Sequence, residues 1–268
     1  MAHTKPSRNP NVGLFVTCLV DLFRPSVGFA AVKLLQEAGC HIEVPLNQTC
    51  CGQPTYNSGN QKDTRIIARK VIEAFEKYDF VVVPSGSCAG MIKIHYPKLF
   101  VKDPEMKERL ELLKNKTFEL TSFLIDVMEL ESVADEKRII KNNKVTYHDS
   151  CSGLRELKIK NQPRELLKNL NNLNVTEYGG AEVCCGFGGT FCIKYSEISD
   201  QIVQKSIDNL EKTEADLLLG GDLGCLMNIQ GKLSRLNQNK AGFQMQVRHV
   251  AEVLAGLTEK PAIGESKG

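Results

Sequence analysis

The cysteines of this chain form one pattern written twice, and that duplication limits what the chain can fold into. The first copy runs Cys18, Cys50-Cys51, Cys88; the second runs Cys151, Cys184-Cys185, Cys225. Between the single cysteine and the pair lie 31 residues in one copy and 32 in the other, and between the pair and the last cysteine 36 and 39. The flanks repeat too. Asn47-Gln48-Thr49-Cys50-Cys51-Gly52-Gln53 answers Ala181-Glu182-Val183-Cys184-Cys185-Gly186-Phe187, and Asp79-Phe80-Val81-Val82-Val83 answers Ala215-Asp216-Leu217-Leu218-Leu219. A self-similarity of about 134 residues predicts two halves built alike, each with a site of its own. Of the 10 cysteines only Cys40 and Cys192 stand outside the pattern.

A chain of 268 residues can give each half a core, and we assign the halves to residues 10–132 and 143–258. Lys and Arg number 34 against 32 Asp and Glu, a net charge of +2 without a basic block, which argues against nucleic acid or an anionic membrane surface as partner. Residues Met1 to Pro10 lack the apolar region of a signal peptide, and no run approaches the roughly 20 apolar residues of a membrane span. The expectation is a cytoplasmic protein with no transmembrane segment. In that reducing compartment clustered cysteines more often bind metal or catalyse than form disulfides.

Short apolar runs rich in valine and leucine alternate with helical periodicity. Asn11–Thr17, His41–Pro45, Asp79–Pro84, Lys144–His148, Asn174–Tyr178 and Asp216–Gly220 read as strands. Helices are expected over Ser26–Glu37, to about Lys77, Pro104–Lys114, Phe118–Glu131, Gln162–Asn171, Ser196–Glu214 and Gly224–Leu236, with Val247–Leu257 closing the second half. The alternation predicts an α/β protein of two pseudo-equivalent halves, each a small parallel sheet flanked by helices. The pattern cysteines then fall beyond strand ends, where open α/β sheets bind ligands.

A thiolate is a soft ligand for iron-sulfur clusters, zinc or copper(I), and four are the common complement of one ferredoxin-type cluster. Neighbouring side chains in a Cys-Cys pair diverge, which suits a multi-iron cluster better than one small ion; zinc is the alternative, and inert buried cysteines explain one pair but not a repeated set. Gly52 and Gly186 after the pairs allow close backbone approach. His148-Asp149 before Cys151 can move protons or hydrogen-bond to sulfur, or serve the core. His95 and His249 read as structural, Cys40 and Cys192 as packed residues, and Asp21 and Arg24 as contacts for an anion or for cluster charge. The glycines of Gly186-Phe187-Gly188-Gly189 lack dinucleotide-binding spacing.

These residues carry a resemblance that spans nearly the whole chain. The arrangement is similar to the duplicated cysteine-rich CCG domain found in heterodisulfide reductases and in glycolate oxidase iron-sulfur subunits. Segments such as Cys50-Cys51-Gly52-Gln53-Pro54, Ser85-Gly86-Ser87-Cys88-Ala89-Gly90-Met91 and Cys184-Cys185-Gly186-Phe187-Gly188-Gly189-Thr190-Phe191 most resemble the lactate utilization protein A family. The resemblance implies an oxidoreductase subunit for L-lactate oxidation to pyruvate. Its two iron-sulfur clusters, of [4Fe-4S] type, would be held by the eight pattern cysteines, and its partners would be a ferredoxin-type iron-sulfur subunit and a third subunit. The full motif ends in Cys-x-x-Cys, but Ser85 and Asp222 stand at the penultimate positions. That departure weighs against a noncubane cluster and disulfide reduction, which remain an alternative beside a zinc-stabilised fold; Ser85 and Asp222 are either helix caps or auxiliary oxygen ligands.

Overall fold

The computed structural model describes residues 9–130, 144–168, 170, 175–238 and 243–265. The N-terminal stretch to residue 8, the helix ends expected at Glu131 and Asn171, the strand start at Asn174 and the segment limits 132 and 143 lie outside the described residues.

Near-continuous apolar strands can be buried only with both faces covered, the condition of a parallel sheet under helices. The first half contains β1 (Asn11–Leu14), α1 (Cys18–Phe23), α2 (Pro25–Glu37), β2 (His41–Glu43), α3 (Gln53–Asn57), α4 (Gln61–Phe75), β3 (Phe80–Val83), α5 (Gly86–Gly90), a π-helical turn at Met91–His95, α6 (Tyr96–Leu99), α7 (Pro104–Lys116), β4 (Thr117–Glu119), α8 (Leu120–Ser122) and a second π-helical turn, Phe123–Val127. The second contains β5 (Val145–His148), α9 (Cys151–Arg155), α10 (Asn161–Lys168), β6 (Val175–Thr176), α11 (Phe191–Lys194), α12 (Ser196–Glu211), β7 (Leu217–Gly220), α13 (Leu223–Gln238), β8 (Gln246–His249) and α14 (Val250–Leu254). Each half is a four-stranded sheet, ordered β2-β1-β3-β4 and β6-β5-β7-β8, with every pairing parallel.

The fourth strand of each sheet departs from expectation. Phe118 pairs with Val82 in β4, where a helix is expected, and Val247 pairs with Leu218 in β8 at the head of the closing helix. Both strands run into a helix without a break, so their apolar residues merge with the helical stripe that follows. Glu119 and His249 end the two strands at equivalent register, opposite Val83 and Gly220, and each side chain caps the helix it precedes.

The halves share one core. A single apolar cluster joins Val12, Leu14, Leu34 and Phe123 of the first half to Tyr147, Leu218, Ile229 and Leu254 of the second. A second cluster, around Phe15, Phe75, Tyr96 and Leu110, fills the remaining face of the first half. Each such side chain contributes about 1.5–3 kcal/mol on burial. At the seam α5 crosses α9 so closely that a Cβ on Gly86 would lie 2.7 Å from Ser150 Oγ and 3.0 Å from Gly153 Cα. The buried Glu252 carboxylate accepts from Arg24 Nε at 2.8 Å, Arg24 Nη2 at 3.2 Å and Ser26 Oγ at 2.5 Å. Arg24 is thus spent on joining the halves and is no contact for a ligand. His95 crosses the seam too, with Nε2 2.8 Å from Glu156 Oε1.

Candidate metal centres at the sheet edges

Each sheet delivers its four cysteines from the C-terminal ends of three strands. Cys18 and Cys151 open α1 and α9, whose N-caps Thr17 and Ser150 accept from the backbone of Val20 and Gly153. The Cys-Cys pairs lie on the loops after β2 and β6. The glycine behind each pair has a left-handed backbone, φ +79° at Gly52 and +85° at Gly186, which side chains rarely adopt. That turn points each glycine N–H back at the first sulfur of the pair, 3.4 Å away in both halves. Cys88 sits in α5 and Cys225 in α13.

The sulfurs meet as a chain of neighbours. Cys18 Sγ lies 3.6 Å from Cys50 Sγ, and Cys51 Sγ lies 3.3 Å from Cys88 Sγ. All the described cysteines are free thiols. The first sulfur of each pair accepts from the sulfurs on both sides of it. Hydrogen bonds from Cys18, Cys51 and the Gly52 N–H pull the Cys50 thiol down to about 3, and those from Cys151, Cys185 and the Gly186 N–H pull Cys184 down to about 2. Their donors move the other way: donation to Cys50, with burial, raises Cys18, and donation to Cys184 raises Cys151. Each half thus holds one ready thiolate among thiols whose protons a bound cation would displace. Among the described residues the one trio of candidate ligand atoms mutually within 4.8 Å is His148, Cys185 and Cys225.

Polar partners brace both sets. Tyr96 donates to the Cys51 carbonyl at 2.7 Å, and Asn228 Nδ2 donates to the Cys185 carbonyl at 2.8 Å. His148 Nδ1 shares a 2.7 Å hydrogen bond with the Tyr178 hydroxyl, leaving its buried Nε2 without a partner. Burial holds that imidazole down to about 4, hence neutral. Tyr96, Tyr178 and Asn228 carry no signal in the sequence, because their role rests on contacts across the fold.

Ser85 and Asp222 both act as caps. Ser85 Oγ accepts from Cys88 N at 3.3 Å, and Asp222 Oδ1 accepts from Gly224 N at 3.2 Å. Asp222 Oδ2 also reaches over the seam, accepting from Ser85 Oγ at 3.0 Å and Ser87 N at 2.9 Å. Cys40 is buried in the shared core, as expected. Cys192 is not packed away: it is half-buried and lines a cavity of about 330 Å³ with Cys18, Cys50, Cys51 and Cys88. That cavity is bordered from the second half by Phe187 and Ile193, on the loop and short α11 held to the first half where Asn57 donates to the Gly188 carbonyl and Lys194 to Ser58. Asp21 borders a separate groove beside Cys18 and Cys50.

Known proteins share this plan. The family model for the cysteine-rich domain CCG matches residues 12–93 and again 145–230. Lactate utilization protein A of Shouchella clausii (strain KSM-K16) is 45% identical over 244 residues, covering 91% of this chain and 98% of that protein. The protein of the same name from Geobacillus sp. (strain WCH70) is 46% identical over 243 residues, 91% of this chain and 98% of its own. Lactate utilization protein A 2 of Bacillus cereus (strain Q1) is 44% identical over 249 residues, with coverages of 92% and 99%. Among solved structures, a hypothetical protein from Helicobacter pylori has the same fold, with a TM-score of 0.60 at 14% identity. The match takes in all of this chain and 52% of that one, so this chain spans about half its length.

Proposed function

Because the chain belongs to the lactate utilization protein A family and carries two CCG domains, we propose that it is an iron-sulfur oxidoreductase subunit of a complex that oxidises L-lactate to pyruvate. One observation carries this reading: each half gathers four unpaired cysteine sulfurs at one sheet edge around a single thiolate. A tetrahedral zinc ion, with bonds of ~2.3 Å, needs all its sulfurs within about 4 Å of one another. Among the described residues of the first half, no trio of candidate ligand atoms meets even the looser limit of 4.8 Å. Strung as a chain of neighbours rather than closed on one point, these sulfurs favour a multi-iron cluster, which offers each a different metal atom.

Cys18, Cys50, Cys51 and Cys88 would hold one cluster, and Cys151, Cys184, Cys185 and Cys225 the other, within units spanning 10–132 and 143–258. Clusters of [4Fe-4S] type would supply one-electron acceptance and donation. The chain's own residues do the rest. Gly52 and Gly186 donate N–H groups to a sulfur, Tyr96 and Asn228 fix the turns, and Phe187 supplies an apolar wall of the first cavity. Ser85 and Asp222 stay outside the ligand sets as caps. The partners are a ferredoxin-type iron-sulfur subunit and a third subunit, and the setting is cytoplasmic. Among the described residues no helix is long and apolar enough to cross a membrane.

The His148, Cys185, Cys225 trio favours a second reading, a zinc ion in the second half. Iron and zinc content of protein prepared without oxygen separates the two. Iron for two multi-iron sites, reduced by half in Cys51→Ala and again by half in Cys185→Ala, is the expected result. Zinc near two per chain with negligible iron refutes the electron-transfer reading. Zinc near one per chain, lost in His148→Leu, establishes the second reading.

A further inference from the structure

Glu119 is a buried carboxyl that the site described above leaves unused. It ends β4 at the seam, and its Oε2 accepts from Thr121 N at 2.8 Å, Thr121 Oγ1 at 2.6 Å and Ser122 N at 3.2 Å. Its other oxygen borders a cavity of about 20 Å³, room for one water, lined also by Tyr147, Asp149, Ser150 and Gly221. A Cβ on Gly221 would sit 3.2 Å from the Tyr147 hydroxyl and 3.5 Å from Glu119 Oε1, so both oxygens face the same space. Beyond the cavity, Asp149 is clamped by Arg164 through Nη1 at 2.9 Å and Nη2 at 2.8 Å, and Arg164 continues to the half-exposed Glu177. Glu119 thus shares its cavity with the inner end of an ion-paired chain of Asp149, Arg164 and Glu177, whose outer end is half-exposed.

The groups around Glu119 have a consistent sign. Asp222, after β7, and Asp149 are the acids, with Tyr147 on β5; Arg164 on α10 is the cation and is committed to Asp149 and Glu177. His148 and His249, on β5 and β8, are held down by burial. Asp222 acts electrostatically both on Glu119 and on Cys151 and Cys225, and Ser150, which lines the same cavity as Glu119, directly precedes Cys151. Negative charge arriving at the second sulfur set makes ionised Glu119 harder to keep.

We propose that Glu119 is a proton-loading residue: it takes a proton by way of the water-sized cavity when an electron reaches the neighbouring iron-sulfur group, and releases it on reoxidation. The proposal rests on the electron-transfer reading. One electron, supplied by the substrate oxidation, is balanced by one proton on the carboxylate. Burial, opposed by the hydrogen bonds from Thr121 and Ser122, pushes Glu119 up to about 7 before any electron arrives, so uptake at neutral pH needs only a small further push.

The test is the midpoint potential of the iron-loaded protein against pH, with infrared difference spectra of reduction. Wild type is expected to be flat below about pH 7 and to fall above it, a tenfold change per pH unit, about 59 mV for one electron. A protonated-carboxyl band should appear on reduction, and Glu119→Gln, which keeps a capping oxygen, should abolish both slope and band. A flat wild-type curve, or a slope that survives in Glu119→Gln, overturns the proposal while leaving the iron reading intact. Protein without iron overturns both. Should Glu119→Gln not fold, Glu119→Asp is expected to keep the slope with its break moved, and an unmoved break overturns the proposal.

Discussion

The resting state of Glu119 can be weighed in the metal-free protein through stability. Its carboxyl rises from 4.5 to about 7, with burial as the main cause. A group whose pKa is raised on folding contributes fully below its unfolded value, and the contribution is lost as pH climbs through the folded value. Below about pH 4.5 both states hold the proton. Between there and pH 7 only the folded state does, so stability falls as pH rises; above 7 the loss levels off. At ~1.36 kcal/mol per pKa unit, the full drop is about 3 kcal/mol. Glu119→Gln has no proton to lose, so wild-type stability minus variant stability should decline by about 3 kcal/mol from pH 4.5 to 8. Taking the difference removes the opposite trend of His148 and His249, present in both proteins. Urea unfolding at a series of pH values measures it. Parallel profiles across that window would refute the claim that burial holds this carboxyl protonated.

Other consequences can be checked on the same protein. Arg24→Ala leaves the buried Glu252 carboxylate without its cation and should cost about 3–5 kcal/mol in urea unfolding, with Glu252→Gln added to it recovering part of the loss. Gly186→Ala meets a left-handed backbone and a Cβ only 2.9 Å from the Ser199 carbonyl, and should cost about 1–3 kcal/mol and empty the second metal site before the first. Gly59→Ala, at φ +80° with nothing within 4 Å, carries the backbone strain alone, and its smaller loss, read by thermal melting, isolates the clash at Gly186. Cys192→Ser borders the first cavity without joining a sulfur set, so iron content should stay at the wild-type level.

What could be read from the sequence followed the cysteines. The repeated spacing located both sulfur sets, and the valine and leucine runs before Cys88 and Cys225 marked β3 and β7 because a doubly covered strand needs apolar residues on both faces. The fourth strands were hidden, since β4 has three residues and passes straight into a helix with no turn residue to mark the change. Arg24 was misread for a related reason: it follows Cys18 closely in sequence, but its partner Glu252 is 228 residues away, brought near only by the packing of α2 on α14. Glu119 left a faint trace. Aligning Leu120-Thr121-Ser122-Phe123-Leu124 with Val250-Ala251-Glu252-Val253-Leu254 sets Glu119 opposite His249, an acid against an imidazole at matching strand ends.

That mismatch belongs to a wider break in symmetry. Three residues before the first cysteine of each set stand Phe15 and His148, and three before the last stand Ser85 and Asp222. Phe15 packs against Phe75 in an apolar cluster, whereas His148 faces Cys185 and Cys225 with a ring nitrogen. The second sulfur set therefore sits beside a neutral imidazole and the first beside aromatic rings and a cavity walled in part by the other half, while the Asp222 carboxylate reaches over the seam to border both. An anionic site is lowered in energy by a nearby donor, so the imidazole gives the second set an electrostatic environment that the first lacks. The duplicated scaffold repeats its strand order and its cysteine placement, and substitution next to the cysteines made the two sites unequal.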